Sequence, residues 1–217
     1  MLQAIRKNIE RYVALTNEEF DLFAGLLQHR HLEKRASLLV AGQICDFEGY
    51  VVKGCLRVYH TDESGADHVL YFAPEDWWVA DIGSLIFQTP AVLSMDALEP
   101  TDVLTIDRTS KERLYAAVPK FERLFRIMSQ RALVGMQSRV MAMMRETADV
   151  RYNDFRQRYP ELEHRVPQHQ IAAYLGISPE FLSRIRHKQA RSAREPMVGV
   201  TRPAVNGGLA RSRPAAS

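Results

Sequence analysis

The apolar residues of this chain change their spacing near Pro119, and this change is what most restricts the fold. Within residues 36–106 they occur in short runs separated by turn residues. Short strands at such intervals predict an antiparallel β-roll of the jelly-roll type. Beyond Pro119 the spacing becomes three and four residues, which predicts a long helix. The predicted strands are 37–40, 49–53, 55–59, 69–72 and 103–106, with Lys53-Gly54 and residues 62–65 as hairpin connections.

Two helices are predicted before the β-roll, over residues 3–12 and 17–28. Thr16 stands where an N-cap is expected, and the acidic Glu18 and Glu19 favour the first turn of a helix. The predicted fold class is therefore α+β, with an N-terminal antiparallel β-roll flanked by helices. We assign residues 1–118 to this first domain.

The long helix, residues 119–147, carries more apolar surface than one small domain can cover. Its apolar stripe predicts a matching helix from a second copy of the chain, and hence a homodimer. The alternative is a core helix inside a single globular domain. The residues predicted at the dimer interface are Phe125, Met128, Ala132, Met136, Val140 and Met143.

Charge is distributed unevenly along the chain. Residues 1–150 hold 17 Lys and Arg against 21 Asp and Glu, a balance of −4, whereas residues 151–217 hold 12 against 5, a balance of +7. An acidic body with a basic C-terminal third predicts that this third meets a polyanion. The alternative is a basic surface that only keeps the protein in solution.

Residues 166–188 predict a helix-turn-helix, the motif that places one helix in the DNA major groove. Its first helix is predicted from Gln168, its turn at Gly176 and the N-cap of its recognition helix at Ser178. On that helix Glu180 and Arg184 share one face, where Arg can read guanine and Glu can read cytosine. The predicted DNA-binding residues are Gln168, Ser178, Glu180, Ser183, Arg184, Arg186 and Lys188, with Gln168, Ser183, Arg186 and Lys188 mostly on phosphates.

Four segments of the chain resemble the Crp/Fnr superfamily of bacterial transcription regulators, in the wording of a subgroup common in Bacteroidetes-like bacteria. The segments are 50–59, 97–99, 148–152 and 171–186, and the last, IAAYLGISPEFLSRIR, is the most specific. The resemblance implies a homodimer with a cyclic-nucleotide-binding-type sensor, a dimerisation helix and a winged helix-turn-helix domain. It also implies double-stranded DNA and RNA polymerase as partners, and a small-molecule effector. Glu180 and Arg184 fall on the base-reading positions of that family.

Two departures from the family pattern qualify these expectations. The family places an Arg followed by Ser or Thr in its phosphate-binding cassette, and the matching positions here are Ala91 and Val92. No Lys or Arg occurs between Arg57 and Arg108, so cAMP is not the expected effector and the effector stays unidentified. The adjacent Trp77 and Trp78 either line a different apolar pocket or comprise one core and one surface residue, the commoner arrangement.

The second departure is at the C-terminus. Residues 190–217 lack the alternating apolar residues that a wing hairpin needs, and their composition predicts a disordered tail. We therefore assign the helix-turn-helix domain to residues 148–189 and leave its wing in doubt.

Other classes of protein are disfavoured by what the sequence lacks. A cupin-like enzyme would need a clustered set of metal-binding histidines, and an iron–sulfur sensor would need clustered cysteines rather than Cys45 and Cys55 alone. His29 and His31 have no third ligand nearby in the sequence, so neither a metal nor a cofactor is predicted. The absence of an apolar membrane span or signal peptide predicts a cytoplasmic protein without membrane contact. The main alternative function is a small-molecule-binding β-roll protein that does not bind DNA.

Overall fold

Nine helices and eight strands make up residues 1–194, the part of the chain that the structure, a computed structural model, describes. The helices are α1 (Leu2–Glu10), α2 (Asn17–Ala24), α3 (Ile82–Phe87), α4 (Arg108–Ala117), α5 (Lys120–Arg145), α6 (Ala148–Arg158), α7 (Leu162–Arg165), α8 (Gln168–Leu175) and α9 (Pro179–Arg194). The strands are β1 (Gln28–Leu32), β2 (Ser37–Leu39), β3 (Phe47–Lys53), β4 (Leu56–Thr61), β5 (Asp67–Ala73), β6 (Trp78–Val79), β7 (Ser94–Ala97) and β8 (Thr101–Asp107).

The strands form two four-stranded antiparallel sheets, in the orders β1-β8-β3-β6 and β2-β7-β4-β5. Apolar side chains from both sheets share one core, because alternate residues of each strand point to the same side. Val51 and Val103 enter this core from the first sheet, and Leu56 and Met95 from the second. The α+β class and the antiparallel β-roll are thus confirmed.

The two predicted hairpin connections have different outcomes. Residues 62–65 do join the paired strands β4 and β5, and Asp62 Oδ1 accepts hydrogen bonds from the backbone N–H of Ser64 and Ala66. Lys53-Gly54 does not close a hairpin, because β3 and β4 lie in different sheets. Gly54 has a φ of 90°, and a Cβ there would lie 2.6 Å from the carbonyl oxygen of Pro100. The backbone passes from the first sheet to the second at this residue. The positive φ and the nearby carbonyl oxygen leave room only for glycine.

Helices α1, α2 and α4 and the first turns of α5 cover the outer face of the first sheet. Ile5, Phe23, Tyr50, Leu104 and Phe121 are buried in the core between them. A capping box between Thr16 and Glu19 starts α2 as predicted. The helix ends at Ala24 rather than residue 28, because the chain from Gln28 pairs with β8 as a strand that the sequence did not predict.

The two halves of α5 have different surroundings. Phe121, Leu124 and Phe125 are buried among the helices of the first domain. Phe125 packs on Trp78 and Tyr115 within the same chain, which removes it from the predicted dimer interface. Large apolar side chains of the second half stay exposed; they are Leu133, Val134, Met136, Val140, Met141, Met143 and Met144.

Helices α6 to α9 form a C-terminal unit that packs on the outer face of the second sheet. Phe72 of β5 contacts Phe155, Tyr159 and Tyr174 edge-on or tilted, with ring centroids 5.6–6.1 Å apart. Cys55 and Val69 join the same buried cluster.

The C-terminal part of the chain differs from the prediction where the tail begins. Residues 190–194 of the predicted disordered tail are helical, because α9 continues to Arg194. The remainder of that tail, where the wing is in doubt, lies outside the described residues. Between α6 and α8 the chain forms the single turn α7.

Candidate nucleic-acid interface and internal cavity

The turn of the predicted helix-turn-helix is built around Gly176. Its φ of 66° and ψ of 38° lie in the left-handed region, which glycine enters without a Cβ clash. The backbone N–H groups of Gly176 and Ile177 both donate to the carbonyl oxygen of Ala172, which closes the end of α8. The apolar residues that pack α8 and α9 together are buried, namely Ile171, Ala172, Leu175, Leu182 and Ile185.

Helix α9, the predicted recognition helix, begins at the expected residue. Ser178 Oγ accepts a hydrogen bond from the backbone N–H of Phe181 at 3.2 Å, which is the geometry of an N-cap. Hydrogen bonds from its own backbone N–H and from Ser178 lower the pKa of Glu180, so this carboxyl group is ionised at neutral pH. Arg184 lies with its guanidinium carbon 5.1 Å from the ring centroid of Phe181.

Three charged side chains share the outer face of α9. Glu180, Arg184 and Lys188 follow one another at steps of four residues, and all three are exposed. Ser183 is half-buried, and Gln168 is exposed at the start of α8. Glu180, Ser183, Arg184 and Lys188 thus lie on one side of α9, beside the Ser178 cap.

Arg186 is the predicted residue whose surroundings differ most from the expectation. Its Nε lies 3.5 Å from Glu163 Oε1, and Arg156 Nε lies 3.1 Å from the other oxygen of that carboxylate. Tyr152 donates its hydroxyl to Glu163 as well, and burial raises the pKa of this phenol to about 12. Arg186 thus takes part in a network that joins α6, α7 and α9.

Ion pairs and one further hydrogen bond connect the C-terminal unit to the β-roll, and the sequence did not reveal them. Arg165 of α7 forms two hydrogen bonds to Glu75, at 3.0 and 2.9 Å, and a further one to Glu99. Arg57 of β4 donates to Gln170 of α8 at 2.8 Å. These partners lie 66 to 113 residues apart in the chain, so no local pattern could have identified them.

A cavity of about 530 Å³ lies between the β-roll, α5 and the C-terminal unit. Trp77 and Trp78 are both half-buried and both line it, so the commoner prediction of one core and one surface residue was wrong. The alternative interpretation, that both tryptophans line an apolar pocket, agrees with this arrangement. The C-terminal unit supplies one end of the wall with Arg158, Tyr159 and Tyr174.

The region of the cassette offers no cation to a cyclic phosphate. Ala91 is buried, and its backbone N–H donates to the carbonyl oxygen of Gln43 at 2.7 Å. The buried carboxylate of Asp81 accepts backbone N–H groups of Val92 at 3.1 Å and Leu93 at 3.2 Å. A phosphate would therefore meet the Asp81 carboxylate at backbone amides that are already used as donors.

The histidines of β1 have a partner that the sequence analysis did not identify. His29 Nε2 and His31 Nδ1 lie 2.8 and 2.9 Å from the same oxygen of Asp102 on the neighbouring strand β8. This hydrogen bonding raises the pKa of His31 and lowers the pKa of Asp102. In residues 1–194 no group of three potential ligands is arranged to hold a metal ion.

One known protein family matches the β-roll part of the chain. Residues 29–117 match the family described as the cyclic nucleotide-binding domain. No curated protein sequence matches the chain significantly. No helix among the described residues has the length and apolar character to cross a bilayer.

Solved structures show that the fold extends well beyond this domain. FixK2 from Bradyrhizobium japonicum is similar with a TM-score of 0.69 at 18% identity, covering 80% of this chain and 89% of that one. CLP, a c-di-GMP-responsive global regulator from Xanthomonas campestris, has a TM-score of 0.68 at 14% identity, covering 82% and 93%. A CooA variant from Carboxydothermus hydrogenoformans has a TM-score of 0.63 at 15% identity, covering 88% and 87%. At such identities the likeness establishes the fold alone.

Proposed function

We propose that this chain is a transcription regulator of the Crp/Fnr type that binds double-stranded DNA in a sequence-dependent way. The observation that carries the proposal is the exposed face of α9, where Glu180 and Arg184 stand one turn apart after a capped helix start. Arg binds guanine O6 and N7 together, and Glu accepts from cytosine N4. The opposite face of α9 is buried against α8 through Leu182 and Ile185, so the charged face is held outward.

Phosphate contacts are assigned to the polar residues around this face. Lys188 is exposed, and its Nζ lies 3.8 Å from Asp149, a distance at which the pair is weak. Gln168 and Ser183 add hydrogen-bonding groups at the edge of the same surface. Arg186 can reach a phosphate only by weakening its interaction with Glu163. We therefore assign it a smaller contribution to phosphate binding than the sequence predicted.

The proposed regulator acts as a homodimer through the second half of α5. The exposed fractions of Met136, Val140 and Met143 are 36%, 54% and 53%, which is unusual for large apolar side chains in a row on one helix. Packing this stripe against a second copy would remove it from water. We keep Ala132, Met136, Val140 and Met143 in the interface, place Met128 at its edge and leave out Phe125. Ala132 and Met136 also line the cavity, as Met128 does, so the proposed interface borders the cavity.

The proposed effector is not cAMP, and RNA polymerase is the proposed protein partner. The carboxylate of Asp81 already accepts the backbone N–H groups of Val92 and Leu93. Ala91 stands where a phosphate-binding cation is expected. FixK2, CLP and CooA share the fold without fixing the ligand, so their effectors are not transferred to this chain.

Selection from a pool of random duplexes with the full chain tests the proposed function. We expect one enriched, roughly two-fold symmetric sequence. Arg184→Ala should weaken binding to that sequence by about 1–3 kcal/mol and relax one base position, with little effect on random duplex. Arg126→Ala, which removes an exposed arginine from α5 outside the proposed DNA-binding unit, serves as the matched control. If no sequence is enriched and no salt-dependent binding occurs, the alternative of a ligand-binding β-roll protein without DNA activity is favoured.

A further inference from the structure

The cavity is a half-open cleft whose wall is mainly apolar. Its wall follows α5 from Phe125 to Arg139, about four turns or 20 Å of helix. Trp77, Trp78 and Leu93 line the side that faces the β-roll. Cavities of about 530 Å³ with such walls are typical of small-molecule sites, and the length favours an extended ligand over a compact one.

Most polar groups in the wall already have partners. Both oxygens of Asp81 accept backbone N–H groups, and Glu48 Oε1 lies 2.7 Å from Lys111 Nζ. Arg139 Nη2 donates to the carbonyl oxygens of Val69 and Tyr174. Glu48 Oε2, Arg139 Nη1 and the Tyr159 hydroxyl oxygen have no partner among the described residues, but all three atoms are sealed from solvent and hence from the cavity. None of these groups is free to select a ligand.

Arg158 is the exception. Its side chain is exposed, and its guanidinium lies against α5 where Gly135 has no side chain; a Cβ there would be 3.4 Å from Nη2. The guanidinium carbon is 5.4 Å from the ring centroid of Trp77. Within the described part of the chain no carboxylate forms an ion pair with it. An apolar cavity thus has one available cation near one end.

We propose that the cavity binds an elongated, apolar monocarboxylate whose alkyl chain lies along Trp77 and Trp78 and whose carboxylate pairs with Arg158. The charge-assisted pair supplies selectivity for the acid, and burial of the chain supplies affinity. Arg158, Tyr159 and Tyr174 belong to the C-terminal unit, so the ligand touches both the β-roll and the proposed DNA-binding part. The expectation that the ligand changes DNA affinity rests on the proposed function. The expectation that the ligand binds does not.

Tryptophan fluorescence of the full chain reports the site directly, because the chain has only two tryptophans and both line the cavity. Titration with dodecanoate should give a saturable change in emission. Dodecanol, which lacks the charge, should bind about tenfold more weakly. Arg158→Met should remove this preference, and Arg158→Lys should restore part of it. Arg126→Met is the matched control, since Arg126 is exposed on α5 away from the cavity wall.

Three outcomes would overturn the inference. They are no saturable change with dodecanoate, equal affinity for dodecanol and dodecanoate in the unaltered protein, or no effect of Arg158→Met. If the emission changes only with protein concentration and responds to neither probe, a second copy of the chain occupies the cavity. That result would also contradict the proposal. Binding of dodecanoate without any effect on a selected duplex would leave the site standing and remove only its regulatory role.

Discussion

Arg165 of α7 and Glu75 of the β-roll form a bidentate ion pair, with Nη1 3.0 Å from Oε2 and Nη2 2.9 Å from Oε1. Glu75 also accepts the backbone N–H of Gly54 at 2.9 Å. The pair therefore fastens the proposed DNA-binding unit to the point where the backbone passes from one sheet to the other. Both side chains are only partly buried, so solvent screens part of the attraction.

Removal of this pair should cost stability to a limited extent. We expect Arg165→Met to lower the free energy of unfolding by about 1 kcal/mol, since a partly exposed pair contributes little even when it is bidentate. A double-mutant cycle with Glu75→Gln, measured by urea unfolding, isolates the coupling. A coupling energy of zero would show that the contact does not fasten the two parts.

The same pair has a pH dependence with a definite sign. Burial raises the pKa of Glu75, but the hydrogen bonds and charge of Arg165, together with backbone N–H groups of Glu75 and Gly54, outweigh it, so the pKa is lowered overall. Stability from a lowered pKa is present above the unfolded value and is lost as pH falls through the folded value. The coupling between Arg165 and Glu75 should therefore persist at pH 7 and disappear as acid takes the pH below the ordinary pKa of a glutamate and through the lowered value.

The exposed stripe on α5 predicts the effect of a charge at the dimer interface. Val140→Lys should convert dimers to monomers, because the lysine would be buried against the apolar side chains of the second copy. Val140 does not line the cavity, so the change leaves that site intact. Gln137→Lys, an exposed polar position on the same helix, is the control. An unchanged mass for Val140→Lys by light scattering would place the interface elsewhere.

Lys188 should contribute affinity without sequence preference. Lys188→Ala is expected to weaken specific and random duplexes alike and to reduce the slope of log affinity against log salt by about one. The measurement is fluorescence anisotropy at several salt concentrations. A loss confined to the selected sequence would mean that Lys188 reads a base instead.

The histidine pair on β1 provides a second pH test. Hydrogen bonding to Asp102 raises the pKa of His31 above its usual value near 6.5. The resulting stabilisation is complete below that value and is lost as pH rises through the folded pKa. The melting temperature of the unaltered protein should exceed that of Asp102→Asn by more at pH 5.5 than at pH 8.5. A difference that is independent of pH would rule out this interaction.

Local signals explain why some elements were predicted closely. The predicted first helix of the motif and α8 share the same bounds, Gln168–Leu175, because Gly176 ends the helix within one turn. The Thr16 capping box and the 62–65 turn are equally local. Strand β1 had no such signal, because its polar residues become a strand only by pairing with β8.

The same difference between local signals and long-range contacts applies to the candidate sites. The exposed positions of Glu180, Arg184 and Lys188 follow from helical periodicity after a capped start, which the sequence contains. The partners of Arg186 and Arg165 were not predictable, because Glu163 approaches Arg186 through the fold of the unit and Glu75 lies 90 residues from Arg165.

By itself the sequence determined the two kinds of element, the change from one to the other near Pro119 and the pair of helices around Gly176 with their charged face. These depend on spacing, caps and turns, whose effects reach only a few residues. Only the tertiary structure decided that Phe125 is covered within the chain, that Trp77 and Trp78 line one cavity and that Arg158 stands at its end. Such relationships depend on which surfaces bury each other, and burial is set by packing between residues far apart in the chain.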